Sequence, residues 1–105
     1  VEMSLLMDIY SPLLTEKQKN IMELYYNDDL SLAEIAELNN TSRQAIHDLI
    51  KRCYKQILSY EDKLNLLKKS LEKESVIEAL LNDMKKKYSI EEKDLEEYKD
   101  ILFNL

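Results

Sequence analysis

No glycine occurs anywhere in this 105-residue sequence, and proline occurs once, at Pro12. Glycine reaches positive φ without steric cost, so its absence takes away the favoured residue of tight β-hairpins. It also excludes Gly-rich phosphate loops of the dinucleotide and Walker types, whose backbones must turn sharply and approach a phosphate closely. Hydrophobic residues make up 45% of the chain, enough to bury a core. The expectation is an all-α protein. The length leaves room for one compact domain, or a small domain with an arm.

Reactive residues are scarce. One cysteine forms no internal disulfide and no cysteine-rich zinc site, and one histidine gives no His-based metal or catalytic cluster. No apolar stretch approaches the roughly 18–20 residues of a membrane span, and the sequence opens without a signal-peptide pattern. Acidic pairs such as Glu91-Glu92 and Glu96-Glu97 read as solvated faces. The expected protein is cytoplasmic and non-enzymatic. It has no catalytic residue, metal, cofactor, membrane partner or small-molecule substrate.

The formal net charge of −6 is unevenly spread. Residues 1–41 carry 2 basic and 8 acidic side chains, residues 42–71 carry 7 and 3, and residues 72–105 carry 6 and 10. A negative whole-molecule field disfavours indiscriminate binding to nucleic acid, but a positive segment lies between two negative ones.

Helix starts are marked by Ser or Thr followed three residues later by Glu or Gln. This capping box satisfies two orphan amides reciprocally. Candidates are Thr15/Gln18, Ser31/Glu34, Thr41/Gln44, Ser75/Glu78 and Ser89/Glu92, each followed by apolar residues at helical spacing. A further helix is expected at about 2–10, with Leu6, Ile9, Tyr10 and Leu13 on one face and Pro12 ending it. Asn27-Asp28-Asp29 and Asn39-Asn40 mark the next two helix ends, because Asn and Asp tolerate the left-handed conformation.

The fourth helix is expected to be long, from Ser42 to Leu71. Ile50, Cys53, Ile57, Tyr60, Leu64, Leu67 and Leu71 alternate spacings of three and four along it, as a heptad seam does. Two shorter helices follow, lined by Ile77, Leu80, Leu81, Met84 and Tyr88, and by Leu95, Tyr98, Ile101 and Leu102. The expected domains are therefore residues 1–71, with the long helix, and residues 72–105, a helical pair packing on that helix or dimerising through it. A 30-residue helix would extend about 45 Å, which favours a homodimer. Cys53, in the seam, reads as core. Seven tyrosines raise base stacking, as on single-stranded RNA platforms, but Tyr10, Tyr25, Tyr60 and Tyr98 lie on apolar faces and read as packing; Tyr54 and Tyr88 are ambiguous between the two.

Residues Ser31 to Arg52, SLAEIAELNNTSRQAIHDLIKR, fit a helix-turn-helix. Ala36 supplies the small crossing residue, and Ile35, Ile46 and Leu49 or Ile50 supply the core. Ser42, Arg43, Gln44, His47 and Asp48, with Lys51 a turn later, are expected on the exposed face. Arg can fork onto guanine and Gln onto adenine. Lys51, Arg52 and Lys55 suit phosphates. His47 reads as a surface contact. The basic segment coincides with this face.

From Leu14 to Arg52 the sequence resembles the promoter-element-binding C-terminal part of bacterial sigma factors, region 4. More closely, Met7 to about Lys68 resembles the YlxM family through LLTEKQ (Leu13–Gln18), ELYYNDDLSLAEIAE (Glu23–Glu37), SRQAIHDLIKR (Ser42–Arg52) and YEDKLNLL (Tyr60–Leu67). The resemblance covers about 60 residues. It implies a bacterial helix-turn-helix protein encoded beside components of the signal recognition particle. The implied role is DNA-binding, regulatory or accessory, in protein targeting. Two other partners are open: the targeting machinery's protein, docked through the acidic charge and long helix, or the particle RNA, bound through the basic segment. One departure stands out. Where the family has an aromatic-Gly-Val turn before SRQA, this chain has Asn39-Asn40-Thr41, and Leu38 is the candidate substitute for the lost apolar plug.

Overall fold

Two of the five expected capping boxes close in both directions. In the computed structural model, which describes residues 3–105, Thr15 Oγ1 accepts from the Gln18 amide at 3.2 Å and the Thr15 amide donates to Gln18 Oε1 at 3.0 Å. This opens α2 (Glu16–Tyr26). Ser31 and Glu34 do the same at 3.1 and 3.0 Å, opening α3 (Leu32–Leu38). The other three boxes are corrected. The cap of α4 (Arg43–Leu64) is Ser42 rather than Thr41, its Oγ accepting from the Ala45 amide at 3.1 Å. Ser75 lies inside α5 (Leu66–Lys87), where ladder bonds already satisfy the backbone. Glu91, not Ser89, caps α6 (Glu92–Phe103), without a side-chain cap bond. An earlier helix, α1 (Met3–Tyr10), ends in a 3-10 turn at Ser11–Leu13 around Pro12. That tighter turn swings Leu13 into solvent and puts Leu14 into the core instead, a correction to the expected α1 face. Six α-helices and no strand are present among the described residues.

The long fourth helix is also corrected. The chain breaks at Asn65, whose φ of 54° is left-handed, and α4 and α5 have 22 residues each. Asn is the non-glycine residue best suited to that conformation. The break exposes the first amides of α5, and one of their two partners comes from far along the chain. The Leu66 amide donates to the Tyr10 hydroxyl at 3.2 Å, and the Leu67 amide donates to Glu61 Oε1 at 3.0 Å. Tyr10 in turn donates to Glu61 Oε1 at 2.6 Å. Burial, and then the Glu61 carboxylate, push the Tyr10 phenol above its ordinary value. The hydroxyl therefore stays protonated and keeps donating. Heptad spacing runs through the break, so the periodicity alone could not reveal it. Along the expected seam, Ile50, Cys53 and Ile57 are enclosed, Tyr60 is half-buried, Leu64 is exposed, Leu67 is buried after the break, and Leu71 is exposed.

The chain forms two units, one reaching to Leu67 and one from Lys68 to Leu105. In the first, Leu6, Tyr10, Ile21, Met22, Ile35, Ile46, Cys53 and Ile57 form a fully enclosed core. In the second, Ile77, Leu81 and Leu95 are buried, with Ile90, Leu102 and Phe103 packed on them. This hairpin is tied by the Lys99–Glu78 ion pair at 2.7 Å and by Lys85–Glu92. Lys85, Lys86 and Lys87 stand in the last turn of α5, where cations complement the helix dipole. Among the described residues, no helix is long and apolar enough to cross a membrane.

Candidate nucleic-acid interface

The turn between α3 and α4 fixes how the front of α4 is presented. Asn40 takes φ 50°. The Thr41 amide then reaches back to Ala36 O at 3.0 Å, and the Asn40 amide to Glu37 O at 3.3 Å. These are the two bonds of a Schellman end. Asn39 adds a third, its Nδ2 donating to Ile35 O at 2.8 Å. The polar residue that replaces an apolar plug thus caps α3. Leu38 does not take the plug's place; it is 64% exposed. Beneath the turn, Ala36 is buried where α3 packs on α4, beside Ile35, Ile46 and Ile50. A larger side chain at Ala36 would force the two helices apart.

This packing leaves Ser42, Arg43, Gln44, His47, Lys51, Arg52 and Lys55 exposed. They are not equally available. The Ser42 hydroxyl is held by its cap bond. Gln44 Nε2 donates to Asp48 Oδ1 at 3.0 Å, and His47 Nδ1 lies 3.6 Å from the same oxygen. That bond uses one of the two Gln44 amide hydrogens. Arg43, Lys51, Arg52 and Lys55 make no ion pair among the described residues. Their charge is directed to solvent. Cys53, one residue from Arg52, is enclosed; burial pushes its thiol up against the opposing pull of Arg52, which keeps it a neutral core residue.

An aromatic border, which the residue spacing did not assign to this interface, flanks the face. Tyr25 and Tyr26, at the end of α2, meet edge to face with ring centres 5.0 Å apart. Tyr54, from α4, is 41% exposed. These three tyrosines surround a cleft of about 180 Å³ with Leu32, His47, Ile50 and Lys51. A neighbouring hollow of about 420 Å³ is bounded by Leu32, Arg43, Gln44 and His47. The signal was present in the sequence. Arg43, His47, Lys51 and Tyr54 follow spacings of four, four and three, which put them on one flank of a helix. The α2 tyrosines join them only through tertiary packing.

The short capped helix, the tight turn, the small crossing residue and the outward cations define a helix-turn-helix protein. Over residues 1–101 the sequence matches the family described as "Putative helix-turn-helix protein, YlxM / p13 like" (UPF0122), and the chain belongs to that family. It is 67% identical over 105 residues to a UPF0122 protein of Clostridium botulinum, covering 100% of this chain and 96% of the relative. It is 56% identical over 99 residues to a UPF0122 protein of Clostridium perfringens, covering 94% and 88%. A UPF0122 protein of Clostridium novyi is 59% identical over 88 residues, covering 80% and 76%.

Proposed function

We propose that this protein is a DNA-binding regulatory or accessory factor. In this reading the N-terminal half of α4 enters the major groove. Arg43, Gln44 and His47 face base edges, while Lys51, Arg52 and Lys55 neutralise phosphates. The observation that supports it is that Arg43, Lys51, Arg52 and Lys55 make no ion pair among the described residues, although the chain as a whole is acidic. The tie to the signal recognition particle pathway comes from the family resemblance. The test is fluorescence anisotropy with duplex DNA across a salt series. Phosphate contacts predict a linear fall of log affinity with log salt, by about 0.9 per contact. Lys55→Ala should flatten that slope by about one contact, and Arg43→Ala should relax sequence preference. Absence of sequence-selective duplex binding at low salt would overturn the reading.

A second reading is favoured by the other unit. There an apolar groove of about 700 Å³ runs between α5 and α6, with Leu80, Tyr98 and Ile101 half or more exposed and Glu91 and Asp94 on its border. Residues 72–105 carry a net charge of −4. The groove suits a basic amphipathic helix of a partner protein. In that case the protein is an adaptor, and charge reversal at Glu91 and Asp94 removes the partner while Arg43→Ala does not. A homodimer through the seam would need Ile50, Cys53 and Ile57, which the chain's own core encloses. Sedimentation at micromolar concentration distinguishes monomer from dimer.

A further inference from the structure

We infer that the cleft between the end of α2 and the middle of α4 receives an unpaired nucleobase, so that the helix-turn-helix prefers nucleic acid with an extrahelical base to a continuous duplex. The inference rests on the proposed nucleic-acid reading and adds to it the kind of strand that is bound.

Tyr25, Tyr26 and Tyr54 present ring surface from two elements, Leu32 and Ile50 complete an apolar floor, and Lys51 is the one permanently charged side chain in the lining. A flat heteroaromatic ring attached to a phosphate matches this combination: the ring stacks on tyrosine and the ammonium pairs with the phosphate. Tyr54 is the decisive residue. It is 41% exposed on a flank otherwise occupied by Arg43, His47 and Lys51. The Tyr26 phenol is pushed up by burial and then by the Tyr25 and Tyr54 phenols. It stays neutral, so no phenolate opposes an incoming phosphate.

The cleft adjoins the Arg43 hollow, since Leu32 and His47 line both. From Arg43 to Tyr54 the helix rises about 16 Å at 1.5 Å per residue. A strand lying along that flank meets cations first and ring surface last. A continuous B-form duplex offers a major-groove helix only base edges, since its base faces are stacked on each other. An unpaired base has a free face to stack.

The full chain is titrated against three labelled oligonucleotides of one sequence: a perfect duplex, the same duplex with one bulged adenine, and the single strand. Each is made in DNA and in RNA, which identifies the sugar preferred. The bulged or single-stranded form should bind about 5- to 100-fold more tightly than the perfect duplex, the range that stacking one base on an aromatic residue supplies. Emission of 2-aminopurine at the bulge should fall on binding. Tyr54→Ala should abolish both the preference and the quenching, Tyr54→Phe should retain them, and Lys51→Ala should weaken every form. Helical circular dichroism checks that each variant is folded. Duplex binding without a bulge preference overturns this inference and leaves the DNA reading standing. A preference that survives Tyr54→Ala overturns it too. Binding of no form overturns both.

Discussion

Among the described residues, the unit ending at Leu67 encloses eight side chains almost completely, whereas the unit from Lys68 encloses none to that degree. Both are built from amphipathic helices with the same apolar spacing. The difference lies in how many neighbours each helix has. α4 packs against α1, α2 and α3, so its stripe is covered from several directions. A pair of helices gives each member one neighbour, and the flanks of both stripes stay wet. Leu80, Tyr98 and Ile101 are the result. Periodicity identifies a face that can be buried; the number of surrounding elements decides how much of it is.

The largest effect that tests this contrast is a cavity. Ile57→Ala, at a fully enclosed site, should destabilise the protein by about 2–5 kcal/mol, whereas Ile101→Ala, at a site 57% exposed, should stay within about 0.5 kcal/mol. Urea unfolding reads both. An Ile101→Ala cost in the cavity range would mean that the α5–α6 face is covered in solution. Next comes the break before α5. Glu61 accepts from both the Tyr10 hydroxyl and the Leu67 amide, so Glu61→Ala should cost about 2 kcal/mol, as for hydrogen bonds to a charged group. Hydrogen exchange should show lost protection at Leu66 and Leu67. If protection there is unchanged, the break does not depend on this carboxylate.

Smaller effects separate true caps from capping spacings. Ser31→Ala should cost about 1 kcal/mol. The Ser31 amide, and then its hydroxyl, hold the Glu34 carboxyl below the usual carboxylate range. A lowered folded-state pKa adds stability above the unfolded value, and that stability is lost as pH falls through the folded one. The penalty of Glu34→Ala, followed by urea midpoint, should therefore shrink on acidification through the carboxylate range. A penalty independent of pH would remove Glu34 from the cap. Smallest of all, Ser75→Ala should raise stability by a few tenths of a kcal/mol, since Ala has the higher helix propensity in mid-helix. A loss instead would restore the cap that the spacing suggested at Ser75.

Much of the helix-turn-helix was legible because its signals are local. The Ser31 box, the Asn39-Asn40 end and the Ala36 crossing each act within about one turn of helix. The exposed cations followed from the same register. The aromatic cleft was not legible, since Tyr25 and Tyr26 lie in another helix from Tyr54 and only packing joins them. The Asn65 break was hidden because Leu64, Leu67 and Leu71 keep a helical interval across it. Thr41, Ser75 and Ser89 match the capping spacing as well as Ser31 does, and nothing local distinguishes them.

The sequence by itself determined that this chain would be helical, where α2 and α3 begin, and which side chains at the front of α4 would meet solvent. Without glycine and with one proline, most positions have no backbone alternative as favourable as the helix. Tertiary structure decided where the long apolar seam divides. Asn65 turns left-handed because Tyr10, 56 residues from the amide it caps, and Glu61 satisfy the groups that the turn leaves bare. Local preference weighs only nearby residues, and here the stabilising partner arrives from another helix.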